Sequence, residues 1–239
     1  MAHTLAPVTF SRASTNRLTR HDLGRFEGPS LAAALGRAVC EAGCLPRKEF
    51  FEAWEMARRV RRRLRGGRVV DLAGGHGLLA QALLLLDDSS PSALVVDAVL
   101  PPSAARLHAS IAAVWPRLRD RVAFAEADLD NVTVAAGDLV VSCHACGDLT
   151  DRALEVAVRA GASVAVLPCC HDAEAAPALF AGWMDPALAL DVDRAQRLER
   201  AGYDVWTQVI PADVTPKNRL LIGRPAQNAG RPAVSGKPA

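Results

Sequence analysis

Residues 69–79, Val-Val-Asp-Leu-Ala-Gly-Gly-His-Gly-Leu-Leu, hold a strand, a turn and a helix start in one short stretch. The apolar run from Arg68 to Leu72 reads as a buried strand. Gly74, Gly75 and Gly77 then permit a tight turn with positive φ, and the leucines beyond open a helix. Downstream, short apolar runs at 68–72, 93–97, 121–125, 138–142, 163–167, 204–210 and 218–223 alternate with helical stretches at 77–87, 102–115, 149–160, 173–183 and 188–202. Strands separated by helices of this length require right-handed crossovers, and hence a parallel sheet covered on both faces. Pro211 to Lys217 is too short for a helical crossover, so the last two strands form an antiparallel hairpin. The expected fold is α/β, a Rossmann-like, seven-stranded, mostly parallel sheet with an antiparallel last strand.

Upstream, residues 29–43 and Arg47 to about Leu64 show helical spacing, with Phe50, Phe51, Trp54, Ala57 and Val60 facing inward. They read as an N-terminal helical extension. The implied organisation is a loosely ordered lead-in over 1–28, a helical cap over 29–66, the main domain over 67–224 and a disordered Pro/Gly/Ala-rich tail over 225–239.

Half of the 239 residues are hydrophobic and 23% are charged, which is globular composition rather than disorder. The longest central apolar run, Leu78 to Leu86, falls well short of the roughly 20 residues that span a bilayer, so no membrane association is expected. A net charge of +2 says little about partners. Its distribution says more: Arg58, Arg59, Arg61, Arg62, Arg63, Arg65 and Arg68 form a basic run, readable as a phosphate footprint or as a solvated helix face. The N-terminus lacks the continuous apolar segment of a signal peptide, which points to a reducing, cytoplasmic setting. The six cysteines are then free, buried or metal-bound rather than paired.

The glycine turn has the spacing Asp-x-x-Gly-Gly-x-Gly rather than that of a dinucleotide fingerprint. A carboxylate at Asp71 would repel a pyrophosphate and attract an ammonium group, which favours S-adenosylmethionine over a nicotinamide dinucleotide. Asp97, ending the second strand, suits the ribose hydroxyls. Asp128, in Glu126-Ala127-Asp128-Leu129 after the third strand, suits the adenine amino group. The expected cofactor residues are Asp71, Gly74, Gly75, Gly77, Asp97, Asp128, Leu129 and Ser142.

Two further strings follow the fourth and fifth strands: Cys143-His144-Ala145-Cys146-Gly147-Asp148-Leu149-Thr150-Asp151 and Pro168-Cys169-Cys170-His171. Together they resemble a methyltransferase family that includes the tRNA acceptor-stem 2′-O-methyltransferase and related methyltransferase-like proteins. The resemblance covers roughly residues 47–223. It implies a class I methyltransferase fold, S-adenosylmethionine as cofactor, RNA as a candidate substrate, and a site that includes His144, Cys146, Thr150, Asp151, Cys169, Cys170 and His171. The chain departs from the family at Cys143, where relatives more often carry Leu.

Methyl transfer needs chiefly an aligned nucleophile, with a base where that nucleophile is protonated. His144, Asp151 and His171 are the catalytic candidates. His144 acts as base or substrate ligand, or alternatively caps the following helix, and Asp151 one turn on orients it or the acceptor. The Cys/His cluster raises the question of zinc, but buried thiols near a cofactor are commoner, and no metal is expected there. Thr215-Pro216-Lys217-Asn218-Arg219 borders the acceptor entrance or serves as a polar turn. No Asn-Pro-Pro-aromatic string follows the fourth strand, which argues against methylation of an exocyclic base amine. Protein and small-molecule acceptors stay open, as does a cofactor- or RNA-binding protein that keeps the fold without catalysis.

Overall fold

The computed structural model describes residues 10–226. Two helices, α1 (Leu31–Ala42) and α2 (Arg47–Val60), precede the first strand. The alternating region follows as β1 (Val69–Leu72), α3 (Leu78–Leu86), β2 (Ala93–Asp97), α4 (Ala104–Val114), β3 (Val122–Glu126), β4 (Leu139–Ser142), α5 (Leu149–Ala160), β5 (Ser163–Val166), α6 (Pro186–Arg200), β6 (Tyr203–Val209) and β7 (Arg219–Pro225). The seven strands form one sheet in the order β3-β2-β1-β4-β5-β7-β6. The pairs from β3 through β5 are parallel, and β7 runs antiparallel to both β5 and β6. This is the expected Rossmann-like sheet, with the last strand inserted between the fifth and sixth.

Strand alternation sorts the core into two layers. Val69, Val95, Val141, Ala165 and Ile222 pack towards α1 to α4. Val70, Leu72, Val140, Val164 and Leu221 pack towards α5 and α6. α3 is apolar nearly all round, with Leu83 and Leu84 fully buried, because the sheet covers one side and α2 the other. That packing brings α2 alongside the helix that leaves the glycine turn.

Three stretches differ from their sequence reading. Residues 173–183 form two short 3-10 turns, Ala173–Ala175 and Ala178–Phe180, instead of a helix. Pro177 between them has no N–H to continue a helical ladder. The described part of the lead-in is packed rather than loose: Leu18 is fully buried, Arg17 bridges to Pro46, and Phe26 meets Phe50 edge-on at 5.2 Å. β7 reaches Pro225, one residue past the expected domain boundary. Residues 1–9 and the tail from 227 lie outside the described residues. Among the described residues, no helix is long and apolar enough to cross a membrane.

Candidate active site

The carboxyl ends of β1, β2 and β4 open onto a cleft of about 400 Å³. Asp71, Gly74, Gly75, His76 and Asp97 line one side of it, and Cys143, His144, Cys146 and Leu149 line another. Leu45, Glu49 and Ala53 close it from the cap. Ligands of open α/β sheets bind at this edge, where strand order reverses about the first strand.

Asp71 is 1% exposed, and its Oδ2 accepts a hydrogen bond from Ala80 N at 3.2 Å. Burial pushes its pKa up to about 7; the Ala80 N–H resists the rise and the charge of Asp97 adds to it. A carboxyl held this way gains from a cation brought beside it. Gly75, at φ +51°, donates its N–H to Asp97 Oδ2 at 2.9 Å, leaving the second Asp97 oxygen free for a ligand. A Cβ on Gly75 would meet no atom within 4 Å, so the turn faces open space there. Gly77 is closed by contrast: at φ +69°, its Cβ would lie 2.7 Å from Val95 Cγ2. Ala73, at φ +52°, is the one non-glycine with positive φ among the described residues, and it takes that strain inside the turn. A buried carboxylate wanting a cation, an open backbone cradle and a second acid with a spare oxygen fit the sulfonium cofactor's amino-acid and ribose ends.

The other expected cofactor residues have different tasks. Ser142 Oγ donates to Leu72 O at 2.7 Å, stitching β4 to β1. Leu129 is buried in the layer under α5. Asp128 is exposed, accepts from Asp130 N at 3.0 Å and pairs with Arg152. Its pKa is lowered, first by the Asp130 N–H and then by Arg152. None of the three lines the cleft.

His144 is exposed at the rim, yet the protein packed around its ring and the charge of Lys48 lower its pKa to about 4. The neutral imidazole therefore has a lone pair available at neutral pH. Asp151 does not orient it. The Asp151 carboxylate binds Arg194 (Nη2–Oδ2 2.6 Å) and Arg197, both on α6. His171 Nε2 lies 2.8 Å from Asp191 Oδ1, and Asp191 also holds Arg194 at 3.1 Å and Arg219 at 2.6 Å. Asp151 and His171 thus belong to one ionic network joining α5, α6 and β7. Thr150 Oγ1 is buried and donates to Ala145 O at 2.7 Å, fixing the loop before α5.

Sequence reasoning missed the cap's contribution. Glu49 lines the cleft, and its pKa is raised by burial and by Glu52. Glu52 is 3% exposed, its Oε1 lies 3.5 Å from Lys48 Nζ, and its Oε2 has no hydrogen-bond partner among the described residues. His76 shares a 2.9 Å hydrogen bond with Ser103, and burial followed by Arg17 and Arg106 lowers its pKa. The only sequence signal for Glu49 and Glu52 is the amphipathic pattern of α2, which reads equally as core.

Three arginines of the basic run are engaged within the fold, while Arg62, Arg63 and Arg65 stay exposed. Arg61 is 3% exposed and binds Ser90, Leu83 O and Asp87. Arg59 binds Glu55 and Val209 O, and Arg68 pairs with Asp138 at 2.6 Å.

A family model described as a methyltransferase domain matches residues 49–176, more than half of the chain. Two curated relatives, each named glutathione S-transferase C-terminal domain-containing protein homolog, come from Drosophila pseudoobscura pseudoobscura and Drosophila melanogaster. They are 28% and 27% identical over 66% of this chain, which spans only 33% of their length. Among solved structures, human N-acetylserotonin methyltransferase in complex with SAM aligns with a TM-score of 0.45 at 15% identity, over 82% of this chain and 57% of that one. Pyrococcus abyssi tRNA (uracil-54, C5)-methyltransferase with S-adenosyl-L-homocysteine aligns with a TM-score of 0.45 at 16% identity, over 73% of this chain and 38% of that one. The pyocyanin biosynthetic protein PhzM aligns with a TM-score of 0.49 at 20% identity, over 86% and 61%.

Proposed function

Because the chain belongs to the methyltransferase domain family, we propose that it moves a methyl group from S-adenosylmethionine to a nucleophile presented at the His144 rim of the cleft. The observation that carries the donor assignment is Asp71, a buried acid with a pKa raised to about 7 beside an open glycine turn. Such a group is ill-suited to a pyrophosphate and well suited to an α-ammonium. Bound there, the cofactor supplies an electrophilic methyl on a sulfonium.

This chain's residues do the rest. Asp71 holds the ammonium end, Asp97 accepts from the ribose hydroxyls with the oxygen that Gly75 leaves free, and the cap residues Leu45, Glu49 and Ala53 keep water from the pocket. His144, neutral at physiological pH, accepts the proton of an incoming hydroxyl, thiol or ammonium. RNA is the acceptor class proposed first, on the motif resemblance to the tRNA-modifying family. The basic run supports RNA less than its length suggests, since Arg59, Arg61 and Arg68 are engaged internally.

The test has two parts. Adenosylhomocysteine, but not NAD, raises the melting temperature, as a ligand of the native state must. Labelled methyl from the cofactor then enters one of three cell fractions: RNA, protein or metabolites. Absence of stabilisation by either adenosylmethionine or adenosylhomocysteine overturns the donor assignment. Stabilisation without label in any fraction instead favours a cofactor-binding protein that does no chemistry.

A further inference from the structure

Cys146 follows β4, and Cys169 and Cys170 follow β5, so two adjacent parallel strands deliver three thiols to one corner of the sheet edge. Cys146 Sγ is 3.2 Å from Cys169 Sγ, which is 3.8 Å from Cys170 Sγ, and all three sulfurs lie within 4.8 Å of one another. With metal–sulfur bonds of about 2.3 Å, tetrahedral geometry sets sulfur–sulfur edges of about 3.8 Å. One edge already has that length, one is shorter and the third lies within 4.8 Å, so small side-chain rotations bring the triangle to one face of a thiolate tetrahedron. Cys143, by contrast, is buried on the cleft floor, and His171 is engaged by Asp191. Among the described residues, no other His, Cys, Asp or Glu joins the group.

We propose that Cys146, Cys169 and Cys170 bind one thiophilic divalent cation, zinc by preference, with three protein sulfurs and a fourth position open to solvent. Three thiolates are the donor set that soft and borderline cations select, and hard oxygen-seeking ions do not compete for it. Binding displaces the three thiol protons to solvent and leaves the centre one negative charge in excess of Zn²⁺. Lys48 and Lys217 stand near Cys170 to offset that charge. Because Cys146 also lines the cleft, the ion sits at the wall between the pocket and solvent. Three ligands with an open position is the arrangement of zinc sites that bind an exchangeable ligand rather than merely staple a fold. The site stands independently of the methyl-transfer reading: a protein that binds zinc here and transfers no methyl group leaves it intact.

The experiment uses the full chain, reduced and stripped with a chelator. Zn²⁺ titrated against a chromophoric chelator is expected to bind at one equivalent, and Co²⁺ in its place to give a thiolate-to-metal charge-transfer band. Cys146→Ser, Cys169→Ser and Cys170→Ser each weaken Zn²⁺ by at least about tenfold and diminish the Co²⁺ band. Cys44→Ala, outside the cluster, changes neither. Circular dichroism of each variant separates lost ligation from lost folding. Reduced, folded protein that takes up no Zn²⁺ and gives no Co²⁺ band overturns the site, as does binding unaltered in Cys169→Ser. A Cys146–Cys169 disulfide whose reduction restores no metal binding also overturns it and leaves the cluster a redox pair.

Discussion

Arg194 of α6 brings Nη2 to 2.6 Å from Oδ2 of Asp151 on α5, while its own side chain is only 2% exposed. Burial alone would raise the Asp151 pKa, but hydrogen bonds and charge from Arg194, then Arg197, outweigh it and hold the carboxyl below its ordinary value. Asp151→Ala leaves a buried guanidinium with Asp191 as its remaining acid, and breaking such a pair costs about 3 kcal/mol. For a chain of this size that lowers the melting temperature by roughly 6–12 °C. Because the folded pKa is depressed, the stabilisation is complete above the unfolded value and fades as pH falls through the folded one. The gap between wild type and variant therefore narrows below about pH 4. Melts across pH check this; a variant that loses turnover without losing stability would return Asp151 to the chemistry.

Asp71 predicts how the cofactor cleft responds to pH. Its folded pKa is raised to about 7, so ionising it costs the empty protein stability as pH climbs from about 4 through 7. A bound ammonium reverses that preference. Adenosylhomocysteine is expected to bind roughly tenfold more tightly at pH 7.5 than at pH 6, with the dependence abolished and affinity reduced in Asp71→Asn. Calorimetric titration at the two pH values reads both effects, and a flat wild-type profile contradicts them.

The glycines of the turn separate binding from folding. Gly77→Ala places a Cβ 2.7 Å from Val95 Cγ2 at φ +69°, which costs at least about 1–2 kcal/mol of stability. Gly75→Ala meets no protein atom, so its stability loss is confined to the φ penalty, while its methyl enters the space assigned to the cofactor. The expected pattern is a larger drop in melting temperature for Gly77→Ala and a larger drop in adenosylhomocysteine affinity for Gly75→Ala. Equal effects on both measurements would mean that the turn does not face the ligand.

His144, with its pKa lowered to about 4, stays neutral through the working range. The acid limb of the rate profile is therefore expected near pH 7, set by Asp71, with no inflection at an ordinary histidine value. His144→Ala lowers kcat by about 10²–10⁴-fold and retains cofactor affinity. Turnover at the wild-type rate in this variant would limit His144 to shaping the loop.

Much of the fold was legible because its signals are local. Alternating apolar runs, the glycine turn and the short Pro211–Lys217 link gave seven strands and the antiparallel pairing of β6 and β7. The stretch 173–183 reads as a helix from its local sequence, yet Pro177 splits it into two 3-10 turns, and the packing of Leu18 and Phe26 depends on distant partners that no local pattern reveals. The cleft lining is legible where a motif marks it: Asp71, Gly75, Asp97 and His144 meet around one pocket. Long-range charge is what no motif shows: Asp151 and His171 sit in catalytic-looking strings, yet Arg194 and Arg197 hold the first and Asp191 holds the second, all distant in sequence. Glu49 and Glu52 were hidden because cap helix and cleft meet only after α2 packs on α3.

The placement of β7 also sets a schedule for synthesis. Residues 203–209 emerge from the ribosome with no neighbour to pair with, because the slot beside β5 belongs to residues 219–225. A nascent chain paused between them would expose an open strand edge, the kind of surface that recruits other chains. The same late segment carries Arg219 to Asp191, so closing the sheet also adds the last cation to that carboxylate's network.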